Sequence, residues 1–586
     1  MDQLPAASLA PDSPQSYANH LAGLIYTQTM EIFEGKATNV ALLYLMILLI
    51  PIYGVYGVYQ YRKSYKTLKL VRLIFLTLAF GLASSDHGKL DITTFTTQQM
   101  LFGKAIKRSA EYAREGSAFV ISTPKRWLVF LTDPDQIAEL AMVADSKIGF
   151  YEALNMPAWF GPQKNKHNRV AEPSLGDYIN TYHVDVIKSQ LTPRMASILP
   201  EIRQEGNVAW KDTLKLGPGW TKVGIWEVVI QVVSRSANRC FVGLPLCRNQ
   251  ELLDIFRAYA IRTNEVVYMV DLAPGMFQPL LEWVLLKRFR LPQRAMKILN
   301  PVFEERKRMR EELGQERWDA EKPNDSITWI IDAAMKKDAH QQTNEQMSWR
   351  LIWLNFAAIH TTSMSTLHIL YDLAANPEYI DPLREEIIAT MDQHGGYTKE
   401  ALNNMLKLDS CLRESQRWNC VVSIVISKLT MSDYTFKSGK VPLHLPKGTF
   451  VTAPATATHL SEEIYGPDAH IWKGFRFSEM REKMTNPEES SKLQAAATSK
   501  EYLAFSHGKH ACTGRFFAIY QLKMLLIYCL LRYDIRLPLD RNGKRPDNRY
   551  ILGRRSAEIN GSLEFRERKE WNELKTRWGE FDEEED

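Results

Sequence analysis

Cysteine is scarce in this chain: 586 residues contain six, Cys240, Cys247, Cys411, Cys420, Cys512 and Cys529. Their spacing shows no Cys-x-x-Cys pair, which argues against a disulfide framework and fits a reducing compartment. An excess of one charge is also missing. Lysine and arginine number 73 against 68 aspartates and glutamates, a net charge of +5, too small to point to a nucleic-acid partner. Residues 1–38 hold a single lysine and no arginine. The apolar run that follows therefore lacks the basic segment of a signal peptide, and it ends in no small-residue cleavage site.

That apolar run, Val40 to Tyr59, carries no charge and matches the roughly 20 residues that a helix needs to cross a bilayer. Arg62, Lys63, Lys66, Lys69 and Arg72 follow at once, so the positive-inside rule places the rest of the chain in the cytosol. The expectation is a single-pass protein of the endoplasmic reticulum membrane with a lumenal segment over 1–38 and a transmembrane helix over 40–59. A linker or interfacial segment follows over 60–96 and holds the shorter apolar run Leu73 to Ala83. A folded domain spans 97–565, and a charged tail closes the chain over 566–586. With 45% hydrophobic residues there is ample material for a core.

Within the domain, Phe505-Ser-His-Gly-Lys-His-Ala-Cys-Thr-Gly-Arg-Phe-Phe-Ala518 is a glycine-punctuated loop that opens into a helix. That helix, from about Arg515 to Arg532, is apolar almost all round, which marks it as buried. Cys512 faces its positive end and several unpaired amides, so the thiolate is favoured and a metal-ligand role is natural. Gly508 and Gly514 let the backbone turn on either side of the sulfur. His510 is placed to reach an anionic group on the same cofactor. Two plainer readings stand beside this one. A lone cysteine near an apolar helix is usually a small buried hydrophobe. His507, His510 and Cys512 also offer three zinc ligands, though no second cluster.

Elsewhere, Ala118 to Ser122 and Trp127 to Leu131 read as short strands flanking a turn. His183 to Thr192 and Trp226 to Val242 read as helices, and Glu304 to Lys322 as a solvated helix and loop. Ser348 to Ala375 is the longest helical pattern, closed by Asn376-Pro377. In its middle, Ala357-Ala-Ile-His-Thr-Thr-Ser363 sets four adjacent polar side chains into a buried helix, where they need partners or a function; bonding back to the helix's own carbonyls is one solution. Glu414 and Arg417 stand three apart on one helical face, the spacing of an ion pair. Ile535 to Leu539 and Tyr550 to Leu552 bracket Asp540-Arg-Asn-Gly-Lys as a hairpin.

The cysteine loop resembles the haem-binding loop of the cytochrome P-450 family, Phe-x-x-Gly-x-His/Arg-x-Cys-x-Gly-x-x-x-Ala. All the fixed positions are filled: Phe505, Gly508, His510, Cys512, Gly514 and Ala518. A chance match has odds on the order of one in a hundred thousand at average residue usage. The resemblance implies a mainly α fold with small β-sheets in one large domain, where length alone suggests three or four. It implies haem (iron protoporphyrin IX) with Cys512 as the metal ligand and Phe505, Gly508, His510 and Gly514 about the cofactor. Lys428 stands where many members have an arginine to a propionate. The family's Trp-x-x-x-Arg is absent from the helix at His183, which leaves Lys188 as a substitute. The usual proline-rich hinge after the anchor is missing too.

Ala357 to Ser363 is similar to the family's oxygen-binding kink, with Thr361 at its catalytic threonine. Ala358 replaces the usual glycine and His360 the usual acid, so proton delivery falls to Thr361 with His360 as a relay. Glu414 and Arg417 look like the family's Glu-x-x-Arg pair, joined by Arg476 in a buried ion cluster that fixes the cysteine loop. Asn238 to Asn249 looks like a segment common in fungal members. The implied activity is oxidation of a lipophilic small molecule, such as a terpenoid or another fungal secondary metabolite, by a monooxygenase. It would use O2 and electrons from NADPH through a cytochrome P-450 reductase docked near Lys509 and Arg515. The alternatives are a haem-thiolate isomerase or dehydratase needing no external electrons, and an inactive membrane-bound haem or lipid binder.

Overall fold

The computed structural model describes residues 118–122, 127–154, 181–272, 278–551 and 554–578. The expected lumenal segment, transmembrane helix and linker lie outside these residues, as does the end of the charged tail. Among the described residues no helix is long and apolar enough to cross a membrane.

The elements that position the site are, in chain order, β1 (Phe119–Ser122), β2 (Trp127–Phe130), α1 (Pro134–Met142), β3 (Ile148–Gly149), α2 (Met195–Thr213), α3 (Ile225–Phe241), α4 (Asn344–Ala375), α5 (Leu406–Trp418), β4 (Val425–Thr430), β5 (Phe450–Ala453) and α6 (Arg515–Arg532). Helices dominate and the sheets are small, as the resemblance implied. The strands at the front of the domain form as expected, with Phe119 opposite Phe130 and their rings stacked at 4.9 Å. They extend into a sheet of order β1-β2-β5-β4-β3, in which β2 and β5 run parallel. Between Val425 and Lys428 the register of β4 against β5 shifts. Ile426 there adopts φ +52°, a conformation that a β-branched residue rarely accepts. Such a bulge re-aims the next side chains, and Lys428 ends fully inside.

The core is helix on helix. α3 buries Ile225, Val229, Val233, Ala237 and Cys240, a three-to-four-residue stripe that packs against α2 and α4. α6 is buried on most faces from Phe517 to Leu531, as its composition required. α4 starts four residues before the apolar pattern does, because the Thr343 hydroxyl accepts the Gln346 amide and caps it. At about 1.5 Å per residue it runs close to 50 Å through the domain.

The structure corrects two expectations. Tyr533–Arg536 does not form a hairpin with the segment at Tyr550; it pairs with Ser562–Glu567, while Arg549–Ile551 pairs with Arg554–Ser556. Asn542 does turn the chain, at φ +48°, but a turn fixes only a reversal, and burial against the core selects the partner strand. The segment expected as a charged tail begins with structure: helix Trp571–Arg577 buries Trp571 and Leu574.

Candidate active site

The cysteine loop is folded by its own backbone. The Ser506 amide donates to the Leu503 carbonyl at 2.9 Å, and the Cys512 amide to the Phe505 carbonyl at 2.9 Å. Gly508 sits at φ +75°, and a Cβ there would lie 2.5 Å from the Ala141 carbonyl oxygen of α1. Glycine is therefore required twice, by conformation and by the close approach of α1. Gly514, which precedes the first turn of α6 at φ −86°, differs: a Cβ there would meet nothing within 4 Å. The protein's own packing does not demand this glycine.

Cys512 lies deep among protein atoms, and that desolvation pushes its thiol pKa up, against the pull of the Gly514 and Arg515 amides and the Arg515 charge. Its side chain is nevertheless exposed. The two facts fit together if the sulfur faces an internal space rather than the outer surface. The helix end and its amides favour the thiolate; burial reverses that balance in the protein alone, and a cation at the sulfur would restore it. The open side of Gly514 and the exposed sulfur suit a large planar group ligated there.

His510 and Lys428 meet at a residue that sequence reasoning missed. His510 Nε2 lies 2.9 Å and 3.0 Å from the two carboxylate oxygens of Asp145, and its ring stacks on Phe150 at 4.2 Å. Lys428 Nζ is 3.7 Å from the same carboxylate and 3.5 Å from the Val143 carbonyl. Burial lowers the pKa of Lys428, Asp145 raises it and Lys509 lowers it again. Lys188, exposed on its helical turn, adds to the positive field at His510. A single acid in Ala144-Asp-Ser gave no signal by itself. The zinc alternative loses its geometry: His507 Nδ1 pairs with the Thr498 hydroxyl at 3.1 Å, and no group of three metal-binding side chains occurs among the described residues.

In α4, Ala357 and Thr361 are exposed although Ile359, Thr362, Ser363 and Met364 around them are buried. These two side chains are thus open in an otherwise buried stretch of the helix. Thr361 Oγ1 donates to the Ala357 carbonyl at 2.8 Å, and Ser365 and Thr366 donate back one turn in the same way. Back-bonding of this kind bends helices. His360 is half-buried, edge-on to Trp226 at 6.3 Å.

The predicted ion cluster is assembled. Arg417 Nε and Nη2 each lie 2.7 Å from a Glu414 oxygen, and Arg476 Nε reaches the same carboxylate at 3.2 Å. Glu414 and Arg417 are fully buried. Asp468 joins from outside at 2.7 Å from Arg476, and Lys473, then Arg476, holds its carboxyl down to about 2.

Fold and site together describe a mainly helical protein with one exposed cysteine sulfur at the head of a buried helix. The pattern that defines the family described as Cytochrome P-450 matches residues 199–560. Cytochrome P-450 monooxygenase 151 of Postia placenta is 36% identical over 437 residues, covering 74% of this chain and 83% of that protein. Cytochrome P-450 monooxygenase CYP512U6 of Ganoderma lucidum is 31% identical over 459 residues, 78% and 85% of the two. Cytochrome P-450 monooxygenase paxQ of Penicillium paxilli is 30% identical over 445 residues, 75% and 82% of the two. The chain belongs to the cytochrome P-450 family. Its enzyme class is that of a monooxygenase, and the family implies a haem-thiolate cofactor, a small-molecule substrate and a redox partner.

Proposed function

We propose that this monooxygenase holds its haem through Cys512 and oxidises a lipophilic small molecule of terpenoid or related secondary-metabolite type. Electrons come from an NADPH-cytochrome P-450 reductase. Residues 40–59 anchor the chain in the endoplasmic reticulum membrane, with the catalytic domain in the cytosol. The observation that carries this reading is the sulfur of Cys512, desolvated yet open, beside a glycine that protein packing alone does not require.

Haem bound through that sulfur supplies the activation of O2, which electron donation from the thiolate promotes. Cys512 keeps its negative charge with help from the Gly514 and Arg515 amides and the Arg515 side chain. Phe505 and Gly508 hold the loop in shape, one through its carbonyl and one through its contact with α1. Lys428 and Lys188 supply positive charge for the cofactor's carboxylates; burial holds the His510 imidazole below its usual pKa, and Asp145 orients that ring and balances part of the lysines' charge. Thr361 carries a proton on Oγ1 that it shares with the Ala357 carbonyl; delivering it requires the hydroxyl to rotate, and His360, the next residue on α4, resupplies it.

The fungal relatives support the monooxygenase reading, and the expected anchor supports a lipophilic substrate. The deciding experiment expresses the chain with a reductase in microsomes, feeds terpenoids and resolves products by mass. Turnover dependent on NADPH and lost in Cys512→Ser supports the proposal. Turnover that continues without NADPH and reductase favours an isomerase or dehydratase instead.

A further inference from the structure

His459 ends the short helix Ala455–His459 and is fully buried. Its two ends touch different things. The backbone carbonyl accepts Arg417 Nη1 at 2.6 Å, so it belongs to the ion cluster. The ring Nε2 accepts the amide of Leu503 at 2.7 Å. The ring lies flat against Tyr502, with centroids 5.3 Å apart and planes within 18°.

Accepting at Nε2 fixes the tautomer, because a neutral imidazole then carries its proton on Nδ1. That Nδ1 is buried and has no hydrogen-bond partner among the described residues. An unpaired buried donor is costly, so the site tolerates one poor contact in order to satisfy the other nitrogen. Burial, with Arg417 and Arg413 nearby, holds the ring's pKa down to about 3 and keeps it a neutral acceptor.

From Leu503 the connection runs straight to the sulfur. The Leu503 carbonyl accepts Ser506, and the Phe505 carbonyl accepts the Cys512 amide, both at 2.9 Å. Leu503 and Tyr502 are themselves fully buried, so the Leu503 amide would be stranded without the imidazole. The expectation that the Glu414 cluster fixes the cysteine loop thus acquires a physical route through one side chain.

We propose that His459 is a positioning residue for the sulfur-bearing loop, transmitting the placement of the Glu414–Arg417 cluster to Cys512 through the Leu503 amide. The proposal rests on the reading of Cys512 as the haem ligand.

The test compares purified holoenzyme with His459→Phe, which keeps the ring's bulk and stacking but accepts nothing, and His459→Gln, which reaches with a carbonyl oxygen. Two readouts follow the loop: hydrogen exchange of the segment 499–506, and the reduced carbon-monoxide spectrum, which separates thiolate-bound from displaced sulfur. His459→Phe is expected to speed exchange at Leu503 and to raise the displaced fraction relative to the bound one by about fivefold, the worth of one hydrogen bond. His459→Gln is expected to recover both. Unchanged exchange and spectrum in His459→Phe would overturn the proposal, as would a His459→Gln protein as damaged as the Phe variant. Should His459→Phe not fold, the native protein still decides: a Leu503 amide that exchanges like an exposed loop amide overturns the proposal. A native protein with no porphyrin, or a Cys512→Ser spectrum like the native one, would sink the ligand reading instead; exchange at Leu503 keeps the two failures apart.

Discussion

Arg417 lies across Glu414 with two parallel hydrogen bonds of 2.7 Å, and neither side chain has any exposure to solvent. The arginine's remaining hydrogens go to the carbonyls of His459, Ala469 and Ile471. The pair is thus a staple between α5 and the chain leading into the cysteine loop. Removing one partner leaves the other charged and buried, so Glu414→Ala or Arg417→Ala should each cost about 3 to 5 kcal/mol of unfolding free energy. In a double-mutant cycle by denaturant unfolding the two losses should fall well short of additive. Additive losses would mean that the pair does not act as a unit.

The two loop glycines should fail differently. Gly508→Ala meets both a left-handed backbone and the Ala141 carbonyl, and should destabilise the fold by about 3 kcal/mol or more. Gly514→Ala meets neither, and should leave unfolding within about 0.5 kcal/mol of native while lowering haem occupancy. Thermal unfolding together with the haem-to-protein ratio separates the cases; equal destabilisation by both changes would refute the contrast.

Thr361→Val keeps shape but removes the hydroxyl. Because the lost hydrogen bond is to its own helix, stability should change by less than about 1 kcal/mol. Product formed per NADPH consumed should nonetheless fall by about tenfold or more. An unchanged ratio would remove Thr361 from proton delivery.

His183 predicts a pH dependence. Burial, then Arg350, lowers its pKa from 6.5 to about 3, and its Nδ1 meets the Arg350 guanidinium at 3.0 Å, so the folded state keeps it neutral. The unfolded chain takes up a proton below about 6.5 that the folded protein refuses. Stability is therefore present above that pH and is lost as pH falls toward 3, by about 1.4 kcal/mol per unit from this group. Native protein and His183→Asn, unfolded by denaturant at several pH values from 6 to 4, should differ in slope by that amount. Parallel curves would show that His183 titrates normally.

Deleting residues 1–60 should move the protein from the membrane pellet to the supernatant. Fractionation with a haem assay checks it, and a truncated protein that stays in the pellet would locate membrane binding elsewhere.

Local pattern carried much of this protein. The fourteen-residue loop at Cys512, the apolar helix behind it and the long helix around Thr361 were legible because their chemistry is contiguous: glycine, sulfur and helix follow one another, and a buried helix needs apolar residues on every face. Glu414 with Arg417 was legible for the same reason, being one helical turn apart. Asp145 and His459 were not, since each is a lone polar residue whose partner lies hundreds or tens of positions away. The misplaced hairpin after Ile535 failed on the same ground: turn residues announce a reversal, while the strand that fills the edge is selected by what is buried beneath it.

The order of residues alone determined that a cysteine would stand at the mouth of a buried helix, flanked by two glycines, in a chain poor in every other metal-binding pattern. Only the tertiary structure decided that this sulfur would be both desolvated and open, that Gly508 answers to α1 while Gly514 answers to nothing in the protein, and that an imidazole from a distant helix would hold the Leu503 amide. The difference is physical. Propensity and periodicity act between neighbours, whereas desolvation and the pairing of buried donors depend on which distant segments arrive at the same place.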